Sequence, residues 1–197
     1  MTQPSSSAGA PPRDAAAEPS WRSWANALTL LRVALVPVIA VLVFVGGHEA
    51  RWWAFGVFVF AAFTDSIDGW LARRSLGVTR WGQIADPAAD KALIIGSLGV
   101  LAVNGELPWL AVGIIVVREI AVTVQRQVLL RRDVVMPASP FGKAKTVSQV
   151  VAVTLYLLPL GTPSVRAWAL AVAVVLTVAS GIDYAVRGAS RASKTGQ

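Results

Sequence analysis

Four aspartates close together in the sequence are the residues of this chain best suited to chemistry. Asp65 and Asp68 are three residues apart, and Asp86 and Asp90 are four apart. On a helix, either spacing places both side chains on one face. Their surroundings are apolar, and carboxylates within apolar helices are costly and usually functional. The spacing therefore predicts that two helix ends bring four carboxylates together.

Divalent cations would relieve the repulsion between these carboxylates. Ligand sets made only of oxygen favour hard ions such as Mg²⁺ or Mn²⁺, and two such ions can bridge a diphosphate. Gly69 and Ala72 are small and lie on or beside the face that carries Asp65, so a bulky ligand could approach the backbone there. Arg73 could hold phosphate oxygens with two parallel hydrogen bonds. The alternative is that the aspartates only form ion pairs with basic residues at the helix ends: Arg73, Arg74, Arg80 and Lys91.

The composition places these residues in a membrane protein. The chain has 197 residues, of which 55% are hydrophobic and 15% charged, and its mean hydropathy is +0.59. Soluble domains carry about 25% charged residues. The apolar residues form long runs separated by short polar clusters, which is typical of membrane-spanning helices. Richness in Ala, Val and Arg indicates a bacterial source.

The apolar runs predict an all-α integral membrane protein with six transmembrane helices and a short N-terminal interfacial segment. Residues 21–24 (Trp-Arg-Ser-Trp) would lie at the membrane surface, which Trp and Arg favour. The predicted spans cover about 27–45, 51–71, 84–103, 109–130, 146–160 and 167–186. One domain, 21–187, would lie between a disordered tail at 1–20, rich in Ser, Pro and Ala, and a basic tail at 188–197.

The basic residues predict that both termini face the cytoplasm. With the N-terminus inside, the outer loops hold only Arg51 and Arg166, and the inner segments hold the larger set: Arg22, Arg73, Arg74, Arg80, Arg131, Arg132, Lys143, Lys145, Arg187, Arg191 and Lys194. The net charge of +7 then indicates contact with anionic lipid head groups, not with nucleic acid. There is no cysteine, which excludes thiolate metal sites.

The aspartates belong to a longer motif that resembles a family signature. From Asp65 to Asp90 the sequence reads Asp-x2-Asp-Gly-x2-Ala-Arg-x8-Gly-x3-Asp-x3-Asp, with eight fixed positions in 26 residues. The pattern resembles the signature of the CDP-alcohol phosphatidyltransferase family. The six predicted spans are similar to that family's six-helix plan, so the resemblance covers nearly the whole chain after residue 21.

The resemblance implies a role for each residue of the motif. Asp65, Asp68, Asp86 and Asp90 would hold two ions, Mg²⁺ or Mn²⁺, with Asp86 bridging them. Asp90 would also be the general base that takes the proton from the acceptor hydroxyl. The CDP moiety of CDP-diacylglycerol would contact Asp65, Gly69, Ala72, Arg73 and Gly82. The enzyme would be a homodimer in the bacterial cytoplasmic membrane, with its active site facing the cytoplasm.

Other segments resemble one branch of the family. They are residues 26–32 (Asn-Ala-Leu-Thr-Leu-Leu-Arg), 118–120 (Arg-Glu-Ile) and 142–146 (Gly-Lys-Ala-Lys-Thr). The branch is the bacterial one whose acceptor is sn-glycerol 3-phosphate and whose product is phosphatidylglycerophosphate. The resemblance therefore implies this acceptor.

The basic residues of the later spans agree with an anionic acceptor. Arg118 and Arg126 lie in the fourth span, and Lys143 and Lys145 enter the fifth. An unpaired Arg in lipid is costly, so the acceptor phosphate is a suitable partner. Glu119 follows Arg118, but adjacent helix residues point about 100° apart and need not pair. The alternative is that Arg126, Lys143 and Lys145 extend to the interface as ordinary inside-positive residues.

Two other functions are also compatible with the sequence. The same chemistry could use another acceptor, such as inositol phosphate or serine. A chain of a different class, a metal-ion transporter, would also place carboxylates in apolar helices. A transporter predicts polar residues that continue toward the outer face, whereas here the charges concentrate on the cytoplasmic half.

Overall fold

Six α-helices make up the part of the chain that the computed structural model describes, which is residues 20–72, 82–130 and 140–195. Side chains are described for residues 30–64, 91–129, 140–188 and 190. The helices are α1 (Ser20–Val45), α2 (Gly47–Ala72), α3 (Gly82–Val103), α4 (Trp109–Leu130), α5 (Pro140–Leu157) and α6 (Pro163–Thr195). Within these ranges there is no strand, so the predicted all-α class and the number of helices are confirmed.

Several helix boundaries differ from the hydropathy prediction. The predicted interfacial segment at 21–24 is continuous with α1, and α2 begins at Gly47, four residues before the predicted second span. Pro140 and Pro163 begin α5 and α6, because proline is suited to the first helical turn, where its missing N–H leaves no bond unmade. Hydropathy marks where a helix is apolar, whereas turn residues decide where it begins and ends.

The turn between α3 and α4 follows from its glycine. Gly105 has φ +75°, a left-handed conformation that favours glycine. The Gly105 N–H donates to the Ala102 carbonyl and the Glu106 N–H to the Leu101 carbonyl, at 3.0 and 2.9 Å, the pair of bonds that closes a Schellman motif. The turn places the Glu106 carboxylate against Arg51 of α2, with which it forms an ion pair.

One apolar core joins all six helices. The helix α1 packs against α2 and α3, α6 packs against α4 and α5, and α5 also contacts α2 and α3. Gly96 of α3 permits the close approach of α1, because a Cβ there would lie 2.6 Å from Cγ1 of Val36. The largest fully buried side chains of the core are Ile39, Phe58, Leu98, Leu101, Ile115 and Leu157.

The outer surface is also apolar. Every helix exposes large apolar side chains, for example Val41, Phe60, Val103, Val117, Val147 and Val175 on α1 to α6 in turn. Within the described residues, the Pro163–Gly188 part of α6 is long and apolar enough to cross a membrane, and Leu30–Val45 and Lys91–Val103 are shorter apolar helical segments. The prediction of six membrane spans stays a prediction.

Candidate active site

The four motif aspartates lie at the ends of two neighbouring helices. Asp65 and Asp68 are in the final turns of α2, and Asp86 and Asp90 are in the first turns of α3. The two helices contact each other, and both pack on α1. The aspartate side chains lie outside those that the structure describes, so the metal site stays a prediction.

The residues expected to contact CDP share this location. Gly69 and Ala72 end α2, and Gly82 begins α3, while Arg73 lies outside the described residues. Their backbone positions are at the same pair of helix ends as the aspartates. The CDP contacts also stay a prediction.

A buried carboxylate gathers three cations from three helices. Glu119 of α4 is only 5% exposed, and its Oε1 accepts hydrogen bonds from Lys145 Nζ of α5 and, at 3.1 Å, from Arg118 Nη1. Its Oε2 lies 3.3 Å from Lys91 Nζ of α3. Lys145 and Arg118 are themselves 8% and 10% exposed. We call Lys91, Arg118, Glu119 and Lys145 the cationic cluster.

Hydrogen bonds through the Thr123 hydroxyl link Lys91 of the cationic cluster to the α4 backbone. Lys91 Nζ donates to Thr123 Oγ1 at 2.5 Å, and this hydroxyl donates to the Glu119 carbonyl at 2.6 Å. Lys91 therefore has two oxygen partners on α4, one turn apart. Because Lys91 directly follows Asp90, these contacts join the start of α3 to α4.

Arg118 presents two unused donors. Its Nη1 contacts Glu119, whereas its Nε and Nη2 are buried and have no hydrogen-bond partner among the described residues. The ring of Tyr184 on α6 faces the guanidinium, whose central carbon is 5.8 Å from the ring centroid, within the range of cation–π attraction. The edge formed by Nε and Nη2 is the one that can bind an oxyanion with two parallel hydrogen bonds.

The structure brings together two of the four residues predicted for the acceptor phosphate. Arg118 and Lys145 meet at Glu119, whereas Lys143 and Arg126 are exposed positions on the same two helices. Arg118 and Glu119 were expected not to need each other as partners, because the Cα–Cβ bonds of adjacent helix residues point in different directions. The long Arg side chain turns back, so that the two side chains do meet.

The sequence did not predict the centre of this arrangement. From the sequence, Lys91 was expected only as a possible ion-pair partner of the aspartates, and Glu119 only as part of the 118–120 segment that need not pair with Arg118. Thr123 and Tyr184 carried no prediction. The presence of Glu119 within an apolar segment could have predicted a buried ion pair, because an acidic residue in such a segment is costly without a cationic partner. Which cations would meet it depends on helix packing, since Lys91 and Lys145 lie 28 and 26 residues away in sequence.

Three further charged residues lie outside the cationic cluster: Arg32, Asp183 and Arg187. Arg32 of α1 is 6% exposed and lines a small cleft together with Phe60, Ala61 and Thr64 of α2. Thr64 directly precedes Asp65, so Arg32 is an internal residue close to the aspartate-bearing end of α2. Near the end of α6, Arg187 Nε donates to Asp183 Oδ1 at 2.7 Å, an ion pair between residues one helical turn apart.

The sequence of this chain is similar to those of known proteins. A family model described as CDP-alcohol phosphatidyltransferase matches residues 22–179. A probable phosphatidylglycerophosphate synthase of Mycobacterium tuberculosis is 44% identical over 168 residues, which are 83% of this chain and 80% of that protein. The CDP-diacylglycerol–glycerol-3-phosphate 3-phosphatidyltransferase of Bacillus subtilis is 36% identical over 176 residues, 81% and 91% of the two chains. The protein of the same name from Pseudomonas fluorescens is 32% identical over 162 residues, 80% and 82% of the two chains.

These matches confirm the family that the motif from Asp65 to Asp90 indicates. The family model spans five of the six helices completely or nearly so and continues into α6. The chain therefore belongs to the CDP-alcohol phosphatidyltransferase family.

Proposed function

We propose that this protein transfers the phosphatidyl group of CDP-diacylglycerol to sn-glycerol 3-phosphate, giving phosphatidylglycerophosphate and CMP. The names of the relatives state this reaction or its product. The structural observation that carries the acceptor assignment is the cationic cluster. Its three cations and one carboxylate leave an excess of two positive charges, which complements the dianion of a phosphate monoester.

The position of the cationic cluster suits a small acceptor. Lys91 follows Asp90 in α3, so the basic residues begin directly after the predicted catalytic aspartate. In sn-glycerol 3-phosphate, only a three-carbon chain separates the phosphate from the reacting hydroxyl. Arg118 and Lys145 would bind the phosphate. The exposed Lys143 and Arg126 would add contacts or attract the anionic acceptor.

The aspartates at the ends of α2 and α3 suit divalent metal ions. Their donor set is all oxygen, arranged at spacings of three and four residues on two adjacent helix ends, and this chemistry fits Mg²⁺ or Mn²⁺. Asp65, Asp68, Asp86 and Asp90 would hold two ions. When bound, such ions neutralise the charge of a diphosphate and of the oxygens that gain charge during transfer.

The residues of the chain would then carry out one displacement. Asp90 takes the proton from the acceptor hydroxyl, whose oxygen forms a bond to the β-phosphorus of CDP-diacylglycerol. The bond from that phosphorus to the bridging oxygen breaks, and CMP leaves with this oxygen. Gly69, Ala72, Arg73 and Gly82 hold the CDP moiety during the step, and positioning of the two substrates supplies much of the rate enhancement.

The proposal places the protein in the bacterial cytoplasmic membrane as a homodimer. Support for the membrane comes from the outward-facing apolar residues on all six helices, since monomeric soluble proteins rarely expose large contiguous apolar surfaces. The distribution of Lys and Arg supports six spans, with both termini and the active site on the cytoplasmic side. The family resemblance implies the homodimer.

An acceptor panel tests the proposal. The purified protein in detergent would receive CDP-diacylglycerol, Mg²⁺ or Mn²⁺, and one labelled acceptor at a time: sn-glycerol 3-phosphate, inositol phosphate or serine. We expect CMP release and a labelled lipid, phosphatidylglycerophosphate, only with sn-glycerol 3-phosphate. Faster product formation with another acceptor, or none with any, would contradict the proposal.

A further inference from the structure

Glu119 has no role in the displacement, yet it is the most buried charged group of the cationic cluster. Taking a carboxylate out of water is costly unless cations and hydrogen bonds compensate it. A purely structural ion pair would need one cation, whereas Glu119 meets three, each from a different position in the fold. The excess of cations therefore needs an explanation.

We infer that Glu119 is a positioning residue for the acceptor site: it holds Lys91, Arg118 and Lys145 together so that they present two uncompensated positive charges to a phosphate dianion. The inference rests on the proposed function. It makes Glu119 a determinant of specificity, although the residue itself does not touch the acceptor.

The contacts of Glu119 leave the useful donors free. Its Oε1 occupies Nη1 of Arg118, so the edge formed by Nε and Nη2 is left for a ligand. Both of those nitrogens are buried and lack a hydrogen-bond partner among the described residues. A buried donor without a partner costs stability, and a phosphate that accepts two hydrogen bonds from this edge removes the cost.

The same carboxylate keeps three like charges close together. Without it, Lys91, Arg118 and Lys145 would repel one another in a poorly solvated region and turn toward water. Both lysines have flexible stems, so each would lose its position. Lys145 depends most on Glu119, since it is buried and bonded to the carboxylate, whereas Lys91 also contacts Thr123.

The charge balance gives the site its selectivity. A phosphate monoester carries about two negative charges near neutral pH, which matches the excess of two positive charges. Serine, whose net charge is near zero, would leave both positive charges uncompensated. The cationic cluster therefore selects phosphorylated alcohols, and Glu119 sets how many charges the acceptor must bring.

Glu119→Gln tests the inference, with Glu106→Gln as a matched control. Both residues are ion-paired glutamates that contact an Arg, but Glu106 lies in the turn before α4 and pairs with Arg51, away from the cationic cluster. In Glu119→Gln we expect the KM for sn-glycerol 3-phosphate to rise about tenfold or more, as for loss of a charge-assisted hydrogen bond. The KM for CDP-diacylglycerol should change less than about twofold, because that substrate would lose no hydrogen bond to the cationic cluster. Glu106→Gln should change neither KM.

Glu119→Asp tests the role of Glu119 in acceptor binding if the glutamine variant does not fold. It keeps the charge but shortens the reach by one methylene, so the acceptor KM should rise less than expected for glutamine and kcat at saturating acceptor should be retained. Stabilisation against heat by sn-glycerol 3-phosphate, measured without CDP-diacylglycerol, should weaken in parallel.

The outcomes separate this inference from the proposed function. If the wild-type protein does not use sn-glycerol 3-phosphate, the proposed function fails. If it does, and the folded Glu119 variants keep the wild-type acceptor KM or raise both KM values equally, only the role of Glu119 is overturned.

Discussion

Gly181 of α6 lies directly against the Arg118 side chain of α4. A Cβ atom at position 181 would come within 3.2 Å of Cγ and 3.9 Å of Nε of Arg118. Three residues further along α6, Tyr184 faces the guanidinium. The last helix of the fold thus bounds Arg118 on one side, and Glu119 contacts it at Nη1. The position of the predicted phosphate ligand depends on α6 as well as on its own helix.

We expect Gly181→Ala to weaken acceptor binding without unfolding the protein. The added methyl group must displace Arg118 by a few tenths of an ångström, because the 3.2 Å contact is tighter than ordinary packing. Alanine also favours the helix over glycine by about 0.5–1 kcal/mol. The KM for sn-glycerol 3-phosphate should therefore rise several-fold, while the thermal unfolding midpoint stays level or increases. Steady-state kinetics and a thermal scan measure the two effects.

Gly113→Ala is the matched control for this prediction. Gly113 lies on α4, and a Cβ there would meet nothing within 4 Å. It should gain similar helix propensity and keep the wild-type acceptor KM. An unchanged acceptor KM in Gly181→Ala as well would mean that Arg118 tolerates displacement or does not bind the phosphate.

Arg118→Lys should separate charge from geometry at the phosphate site. Lysine keeps the positive charge but cannot offer two parallel donors. Loss of one charge-assisted hydrogen bond, about 1.5–3 kcal/mol, predicts an acceptor KM about 10- to 100-fold higher, with the KM for CDP-diacylglycerol unchanged. Arg166→Lys is the control, because Arg166 is in the first turn of α6, at the opposite end from Tyr184, and donates to the Leu158 carbonyl. Equal increases in both KM values would instead point to a general structural role for Arg118.

Asp68→Asn and Asp86→Asn should abolish CMP release while the protein stays folded. Each substitution removes a charge from the predicted metal ligands but keeps the side-chain size. Metal ions contribute several kcal/mol to such reactions, so activity should fall at least about 100-fold at about 1.4 kcal/mol per factor of ten. Asp183→Asn, which breaks only the pair with Arg187, should retain activity. Near-normal turnover in Asp68→Asn or Asp86→Asn, or full wild-type activity in a chelator, would refute the metal assignment.

Thr177→Val should destabilise the packing of α5 on α6. Thr177 is fully buried, and its Oγ1 accepts a hydrogen bond from Gln149 Nε2 at 2.8 Å. Valine fills the same space but leaves the amide without this acceptor. A hydrogen bond contributes about 1 kcal/mol net to stability, so the unfolding midpoint should fall by about 2–4 °C. Thr146→Val, at an exposed hydroxyl bonded only to its own helix, should have little effect.

The sequence could predict the helices because each apolar run is long and closed by turn residues. The number of helices and the break between α3 and α4 depend on residues near in sequence. The boundaries at Ser20 and Gly47 differed because hydropathy does not distinguish an amphipathic or interfacial turn from a loop.

Only those residues of the site that belong to a motif, or that stand out as charged residues in an apolar segment, could be predicted from the sequence. The motif from Asp65 to Asp90 indicated the family, and Arg118 and Lys145 were recognised as basic residues in apolar spans. The meeting of Lys91, Glu119 and Lys145 depends on how α3, α4 and α5 pack. No local pattern encodes that packing, so the carboxylate at the centre of the cationic cluster emerged only from the structure.

The most direct test of the account is an experimental structure with sn-glycerol 3-phosphate bound in the presence of Mg²⁺ or Mn²⁺. The quantity to measure is the distance from the phosphate oxygens to Nε and Nη2 of Arg118 and to Nζ of Lys145. We expect hydrogen-bond distances, about 2.7–3.2 Å, with the acceptor hydroxyl directed toward Asp90. A phosphate bound away from the cationic cluster, with Glu119 still paired to all three cations, would contradict the account.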